Sequence, residues 1–413
     1  MVVMTEKKFA PMLSRDQALE LLLSQVRPVQ VTEIIPTLAA NGRVLAEDVQ
    51  SRLNVPPADN TQMDGYAVRA ADCASGQARL RVSQRIPAGQ PGTRLDAGCA
   101  ARIFTGAMIP PGADAVVMQE QCVADGEFVQ INHTPGVGEW IRRTGEDIIS
   151  GSDILPAGTR LGPAQLGLAA SVGLAQLKVF RQLRVAVFFT GDELAMPGEL
   201  LRPGAIYNSN RFILRAALEN LGCVITDYGI VPDSLPATRE ALRLAAQNHD
   251  LIITSGGVSV GEEDHIKPAV EAEGRLNLWQ IAIKPGKPLA FGEVDRQHGG
   301  ASFFIGLPGN PVSCLITFLL FVRPFILRMQ SVQNVTPAAY VLQADFDWPK
   351  ADRRNEFLRA KINADGALEL FPNQGSGVLT STVWGDGLID NPPGQTIVRG
   401  DSVRFIPFTG VLF

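Results

Sequence analysis

The sequence predicts a multidomain α/β protein built on a doubly wound parallel sheet, with a helical and extended N-terminal domain in two segments, an inserted β-rich domain and a small β-barrel-like C-terminal domain. Three observations carry this expectation. From Arg184 onward, short apolar runs alternate with stretches of helical spacing, as βαβ units do. From about residue 51 to 140, β-prone runs are punctuated by Pro and Gly, as in Pro87-Ala88-Gly89 and Pro110-Pro111-Gly112. After about residue 332, alternating stretches such as Ala339-Tyr340-Val341-Leu342 are bounded by turns at Asp365-Gly366 and Pro393-Gly394.

Taken in order, Ser14-Arg15-Asp16-Gln17 has the form of a capping box, and Ala18, Leu19, Leu21, Leu22 and Leu23 continue an amphipathic helix. Helical spacing returns at Pro163 to Ala170, so residues 8–50 and 141–182 are expected to form one domain around the 51–140 insert. The next domain, 183–331, reads as strand 185–189, helix 210–221, strand 224–230, helix 235–247, strand 251–254, helix 265–273, strand 303–305 and a long apolar helix over 312–329. This alternation implies a parallel sheet covered by helices on both faces. Residues 332–413 complete the chain as the C-terminal β domain.

A chain of 413 residues, 46% hydrophobic and 19% charged, can bury several cores. Lys+Arg 37 against Asp+Glu 42 gives a net charge of −5, without a dense basic run, which sets nucleic acid aside. The five cysteines are scattered and lack a C-x-x-C pair, so neither a disulfide framework nor a zinc site is indicated and a reducing cytoplasm fits. The apolar 312–329 helix is interrupted by Arg323-Pro324 and reads as a core helix, not a membrane span. There is no H-E-x-x-H, G-x-G-x-x-G or Walker pattern.

The richest stretch is Ser255-Gly256-Gly257-Val258-Ser259-Val260-Gly261-Glu262-Glu263-Asp264, directly after an apolar strand. Paired glycines and hydroxyls can offer N–H groups to a phosphate, and the carboxylates can serve a hard metal, so a phosphate-bearing substrate with magnesium is suggested. The alternative is a tight turn with acidic residues capping the next helix. Gly191-Asp192-Glu193 and Asp233 fall at equivalent strand ends, where ligands of doubly wound sheets sit. Lys284-Pro285-Gly286-Lys287-Pro288 sets two ammonium groups on a stiffened turn suited to an oxyanion, or else two solvated lysines. Leu307-Pro308-Gly309-Asn310-Pro311-Val312-Ser313 reads equally as a helix start and as a substrate-lining loop. Asp59 to Ala67 is dense in polar side chains, with a simple Asx-turn loop as its plainer reading.

These motifs, with P-P-A-D-N-T-Q-M-D-G-Y-A at 56–67, T-G-A at 105–107, R-R-T-G-E-D-I at 142–148 and T-G-D-E-L at 190–194, resemble in order and over nearly the whole chain the molybdopterin molybdenumtransferases, a family similar to the E domain of gephyrin. The resemblance implies four domains and an elongated homodimer whose cleft lies between the molybdopterin-binding domain of one subunit and the inserted domain of the other. It implies that adenylylated molybdopterin and molybdate give molybdenum cofactor and AMP with Mg2+ assisting, in the cytoplasm, and contact with the molybdopterin adenylyltransferase. Carried over by motif, Asp59, Thr105, Asp147, Glu193, Asp233 and Asp264 form the catalytic set, the last three also as metal ligands.

By the same resemblance, Ser255, Gly256, Gly257, Ser259, Gly261, Pro308, Gly309, Asn310 and Pro311 bind the pterin substrate, and Lys284, Lys287, Arg359 and Ser381 bind molybdate. Thr61 stands where the family has Ser, and His265 where an aromatic is common. Two other functions stay in view. One is the adenylyltransferase step, whose enzyme resembles the 183–330 region and would not need the extra domains. The other is a scaffold, which could dispense with the carboxylates at 59, 193, 233 and 264.

Overall fold

A computed structural model describes residues 12–257 and 265–412. Ser14 opens the helix Arg15–Ser24 through a complete capping box: the Gln17 N–H donates to Ser14 Oγ (3.2 Å) and the Ser14 N–H to Gln17 Oε1 (3.0 Å). Ala18 and Leu22, one turn apart, are buried in the main core. On either side of the insert, Thr32–Pro36 runs antiparallel to Gln176–Phe180 and Val49–Gln50 to Asp153–Leu155. Ala40, Leu45, Leu155, Leu161 and Val179 pack between these segments.

Residues 65–131 hold a six-stranded sheet in the order Ala115–Met118, Gly65–Val68, Cys99–Ile103, Ala78–Ile86, Phe128–Ile131, Cys122–Asp125. Alternation along the strands sends Tyr66, Val68 and Val117 into one apolar cluster, and Ala67, Val116 and Ile103 into the other.

The central sheet also has six strands, in the order Val224–Val231, Arg184–Thr190, Leu251–Ser255, Ala301–Leu307, Pro288–Asp295, Gly274–Gln280. The first four are parallel, as expected from the alternating pattern, but the last two are antiparallel. These edge strands are joined without a crossover helix, so the sequence carries no βαβ signal there. Helices Leu235–Asn248 and Ile266–Glu273 cover one face through Ala241, Leu242, Ala245, Ala269 and Val270. Ser209–Asn220 and Pro311–Met329 cover the other, where Phe291, Phe303 and Phe325 meet with ring centroids 5.1–5.9 Å apart.

Pro311–Met329 is apolar and long enough to cross a membrane, yet 83% of its most apolar window is buried inside the protein. Pro324 does not end it. The helix widens to a π turn over Phe318–Val322 just before Arg323-Pro324, a local adjustment that accommodates the missing proline N–H.

The C-terminal sheet takes its first strand from the α/β region: Ile283–Lys284 pairs in parallel with Asn355–Ile362, placing Ile283 opposite Asn355 and Lys284 opposite Glu356. Gly387–Asn391, Ser402–Pro407 and Tyr340–Gln343 follow across the sheet. That pairing brings the C-terminal β structure against the ends of the central strands.

Candidate active site

A cavity of about 740 Å³ opens at the C-terminal ends of the four parallel strands. Each strand delivers a loop to it: Gly191 and Glu193 after Arg184–Thr190, Asp233 after Val224–Val231, Gly256 and Gly257 after Leu251–Ser255, and Pro308 to Asn310 after Ala301–Leu307. The strand order reverses direction between Arg184–Thr190 and Leu251–Ser255, the switch point where a crevice forms because successive connections leave on opposite sides.

The loops are tightly seated. Gly256 has φ +101°, and a Cβ there would lie 2.9 Å from the Thr190 carbonyl oxygen, so only glycine fits. Ser255 Oγ donates to the Pro308 carbonyl (3.0 Å), while Asn210 Nδ2 donates to Ser255 Oγ and to the Gly309 carbonyl, both at 2.7 Å. Asn310 stands at the N-cap of the Pro311–Thr317 helical segment but makes no side-chain capping bond, so its amide stays with the cavity that it lines. Pro311 occupies the first helical turn behind that wall.

The opposite wall is cationic. Lys284 and Lys287 both line the cavity, but they are not equivalent. Lys284 Nζ lies 3.0 Å from Glu356 Oε1 and 3.3 Å from Asp352 Oδ2. Burial works against its charge, but the two carboxylates outweigh burial and hold the ammonium above the ordinary lysine range. Lys287 is exposed and has no carboxylate within ion-pair distance among the described residues. It also lines an adjoining recess of about 540 Å³, together with Arg354.

Asp352 is held well below the usual carboxylate range by hydrogen bonds from the Arg354 guanidinium and N–H, assisted by Lys284. A depressed carboxylate stabilises the fold above its unfolded pKa of about 4 and loses that contribution as pH falls through the folded value. Asp352→Asn is therefore expected to flatten the acid limb of a stability profile below about pH 4 and leave its neutral slope unchanged, as measured by urea denaturation.

Arg359 sits directly behind this wall on Asn355–Ile362 and is 1% exposed. Its guanidinium donates to Ser381 Oγ (3.1 Å), the Phe357 carbonyl (3.2 Å) and the Gly375 carbonyl (3.1 Å), all neutral acceptors. Burial, with no carboxylate partner among the described residues, pushes it down to about 10, so it still carries its charge at neutral pH. Ser381 is also fully buried and donates to the Val378 carbonyl (2.6 Å).

Asp59, Thr105 and Asp147 do not line the cavity. Asp59 accepts from the Thr144 N–H (2.8 Å), Thr144 Oγ1 (3.0 Å) and Arg143 Nη1 (2.6 Å), led by the backbone bond in holding it below the ordinary carboxylate range. The motifs at 56–67 and 142–148 thus close on one another through this carboxylate. Thr105 donates from its N–H (2.8 Å) and hydroxyl (2.7 Å) to Asp64 Oδ1. Asp147 is exposed, and its N–H donates to the Val55 carbonyl (2.9 Å). Ser259, Gly261 and Asp264 lie outside the described residues. Among the described residues no group of three His, Cys, Asp or Glu side chains forms a metal cage.

Sequence reasoning missed several cavity residues: Asn208, Asn210, Arg354 and the run Gln374 to Ser376. Asn208 was detectable, since Asn before a helical pattern is an N-cap signal, and its Oδ1 does accept from the Arg211 N–H (3.1 Å). Gln374 to Ser376 carries no local signal, because chain pairing across domains brings it to the cleft.

Three stretches match family models: residues 13–173 the MoeA N-terminal region (domain I and II), 186–328 a probable molybdopterin binding domain, and 341–408 the MoeA C-terminal region (domain IV). A molybdopterin molybdenumtransferase of Haemophilus influenzae is 40% identical over 97% of this chain and 100% of its own length. One from Nostoc sp. is 37% identical over 91% of this chain and 88% of its own. The crystal structure of a molybdopterin biosynthesis MoeA protein from Pyrococcus horikoshii OT3 superposes with TM-score 0.81 at 28% identity, covering 96% of this chain and 100% of that one. With near full-length identity to enzymes of that name and all three regions matched in order, the chain belongs to the molybdopterin molybdenumtransferase family, transferases of molybdenum cofactor biosynthesis.

Proposed function

We propose that this enzyme inserts molybdate into adenylylated molybdopterin, releasing AMP in a Mg2+-dependent reaction in the cytoplasm, with substrate received from the molybdopterin adenylyltransferase. The observation that carries the reading is the buried Arg359 guanidinium behind a cavity wall that also presents Lys287, neither of which has a carboxylate partner among the described residues. A tetrahedral dianion supplies the missing counter-charge, and Ser381, which accepts from Arg359 Nε (3.1 Å), holds that guanidinium in place behind the wall. On the far side, Glu193 and Asp233 line the cavity and, with Asp264, suit a magnesium ion that keeps much of its water and is shared with substrate phosphates. Such an ion, when bound, neutralises charge on the pyrophosphate link. The protein's own part is to bind the phosphates on the N–H wall and hold the oxyanion opposite.

Asp59 and Thr105 of the inserted domain, with Asp147 just beyond it, enter this scheme through a second copy that completes the cleft. Their absence from the cavity of their own chain supports that reading. We read the chain as four domains, at 8–50 with 141–182, 51–140, 183–331 and 332–413. The test is incubation with adenylylated molybdopterin, Mg2+ and molybdate while AMP is followed by chromatography. Asp59→Asn and Asp233→Asn chains, each inactive alone, are expected to regain partial activity as mixed heterodimers. No recovery in verified heterodimers places the whole site within one chain, and no AMP from the wild type overturns the reaction.

A further inference from the structure

The wall of the cleft formed by Pro308 to Asn310 has an unusual polarity. Gly257, Gly309 and Asn310 line the cavity, and their backbone N–H groups have no protein acceptor among the described residues. The carbonyls of the 307–310 loop are all occupied, that of Asn310 by the Cys314 N–H (2.8 Å). Leu307 O accepts from the Gly256 N–H (3.1 Å), Pro308 O from Ser255 Oγ (3.0 Å) and Gly309 O from Asn210 Nδ2 (2.7 Å). A ligand in the cavity therefore meets free donors here while the acceptors are tied back into the protein, the polarity that suits a phosphate-class oxyanion.

Resting on the reaction proposed above, we infer that Asn210 is the positioning residue that sets this polarity. Its single amide nitrogen serves both Ser255 Oγ and Gly309 O, so it holds the end of Leu251–Ser255 and the 307–310 loop in one arrangement. Asn210 is itself fixed: it sits in the first turn of Ser209–Asn220, next to the capping Asn208, and is 8% exposed. Among the described residues the buried Asn210 Oδ1 has no hydrogen-bond donor, so the two bonds from Nδ2 are what orient this amide. Without Asn210, Gly309 O has no donor and can turn toward the cavity, where it repels an anion.

The experiment compares wild type, Asn210→Ala, Ser255→Ala and the double variant. It measures the KM for adenylylated molybdopterin, the half-saturating molybdate concentration, the Kd for ADP by calorimetry as a pyrophosphate-linked adenosine probe, and Tm. N210A is expected to raise the KM and the ADP Kd about tenfold, the worth of one charge-assisted contact, with the molybdate requirement within about twofold of wild type. The N210A and S255A effects should combine to less than their product, because both act on one hydrogen-bonded unit. If N210A does not fold, the same selective rise in S255A carries the test. Unchanged ADP affinity, or ADP and molybdate affinities falling together, overturns the role of Asn210. A wild type that binds ADP but releases no AMP overturns the reaction alone, and Asn210 is then judged on its ADP affinity.

Discussion

Arg359→Met is expected to raise the molybdate concentration needed for half-maximal AMP release by roughly tenfold to hundredfold while leaving affinity for adenylylated molybdopterin near that of wild type. The range follows from losing a charge-assisted contact of about 1.5–3 kcal/mol. Two opposing changes govern stability. Methionine leaves the Phe357 and Gly375 carbonyls without the donors that reach them at 3.2 and 3.1 Å, but it also removes a buried charge that has no carboxylate partner among the described residues. These offset, so the change in unfolding free energy should stay within about 2 kcal/mol. Molybdate titration and urea denaturation separate the two effects. A large stability loss with an unchanged molybdate requirement makes Arg359 a strut of the C-terminal sheet, not an anion contact.

Lys287→Ala and Lys284→Ala are expected to fail in different ways, although the sequence presents the two lysines as a matched pair. Lys287 is exposed and has no carboxylate partner among the described residues, so its removal should raise the molybdate requirement roughly tenfold or more, be partly rescued by excess molybdate, and leave Tm nearly unchanged. Lys284 neutralises Glu356, which is 1% exposed and also accepts from Trp348 Nε1 (2.8 Å). Removing Lys284 strands that carboxylate at the joint between the central and C-terminal sheets. A cost of about 1–3 kcal/mol is expected, toward the low end because the Lys284 side chain is 39% exposed and screened by solvent. Glu356→Gln in the Lys284→Ala background should restore much of the loss, since the stranded charge is then gone. Equal effects of the two lysine variants on molybdate, with no stability difference, would return both lysines to the anion site.

Much of the central fold was legible because its signals are local. A capping box needs only Ser14 and Gln17, and a strand with its following helix is written in a few turns of periodicity. The loops after parallel strands must emerge on one edge of the sheet, which is why Glu193, Asp233, Ser255, Gly256, Gly257, Pro308, Gly309 and Asn310 line one cavity despite their separation in sequence. The antiparallel edge, Gly274–Gln280 and Pro288–Asp295, was not legible, because short apolar runs without a helix between them do not reveal their direction.

The sequence by itself determined the strand-loop-helix units, the edge of the sheet on which their loops gather, and the residue types available there. Tertiary structure decided how those residues are partnered. Lys284 pairs with Glu356 and Asp352, while Lys287 has no carboxylate partner among the described residues, because Ile283–Lys284 adds to the C-terminal sheet opposite Asn355 and Glu356, 72 residues beyond Lys284. Asn210 reaches Ser255 and Gly309 only after helix and sheet have packed, and Arg359 comes behind the cavity only through the same inter-sheet joint. The physical reason is one of range. Periodicity, capping and turn geometry act between neighbours along the chain, whereas the charge state and hydrogen-bond partner of a buried polar group depend on whatever segment folding brings against it.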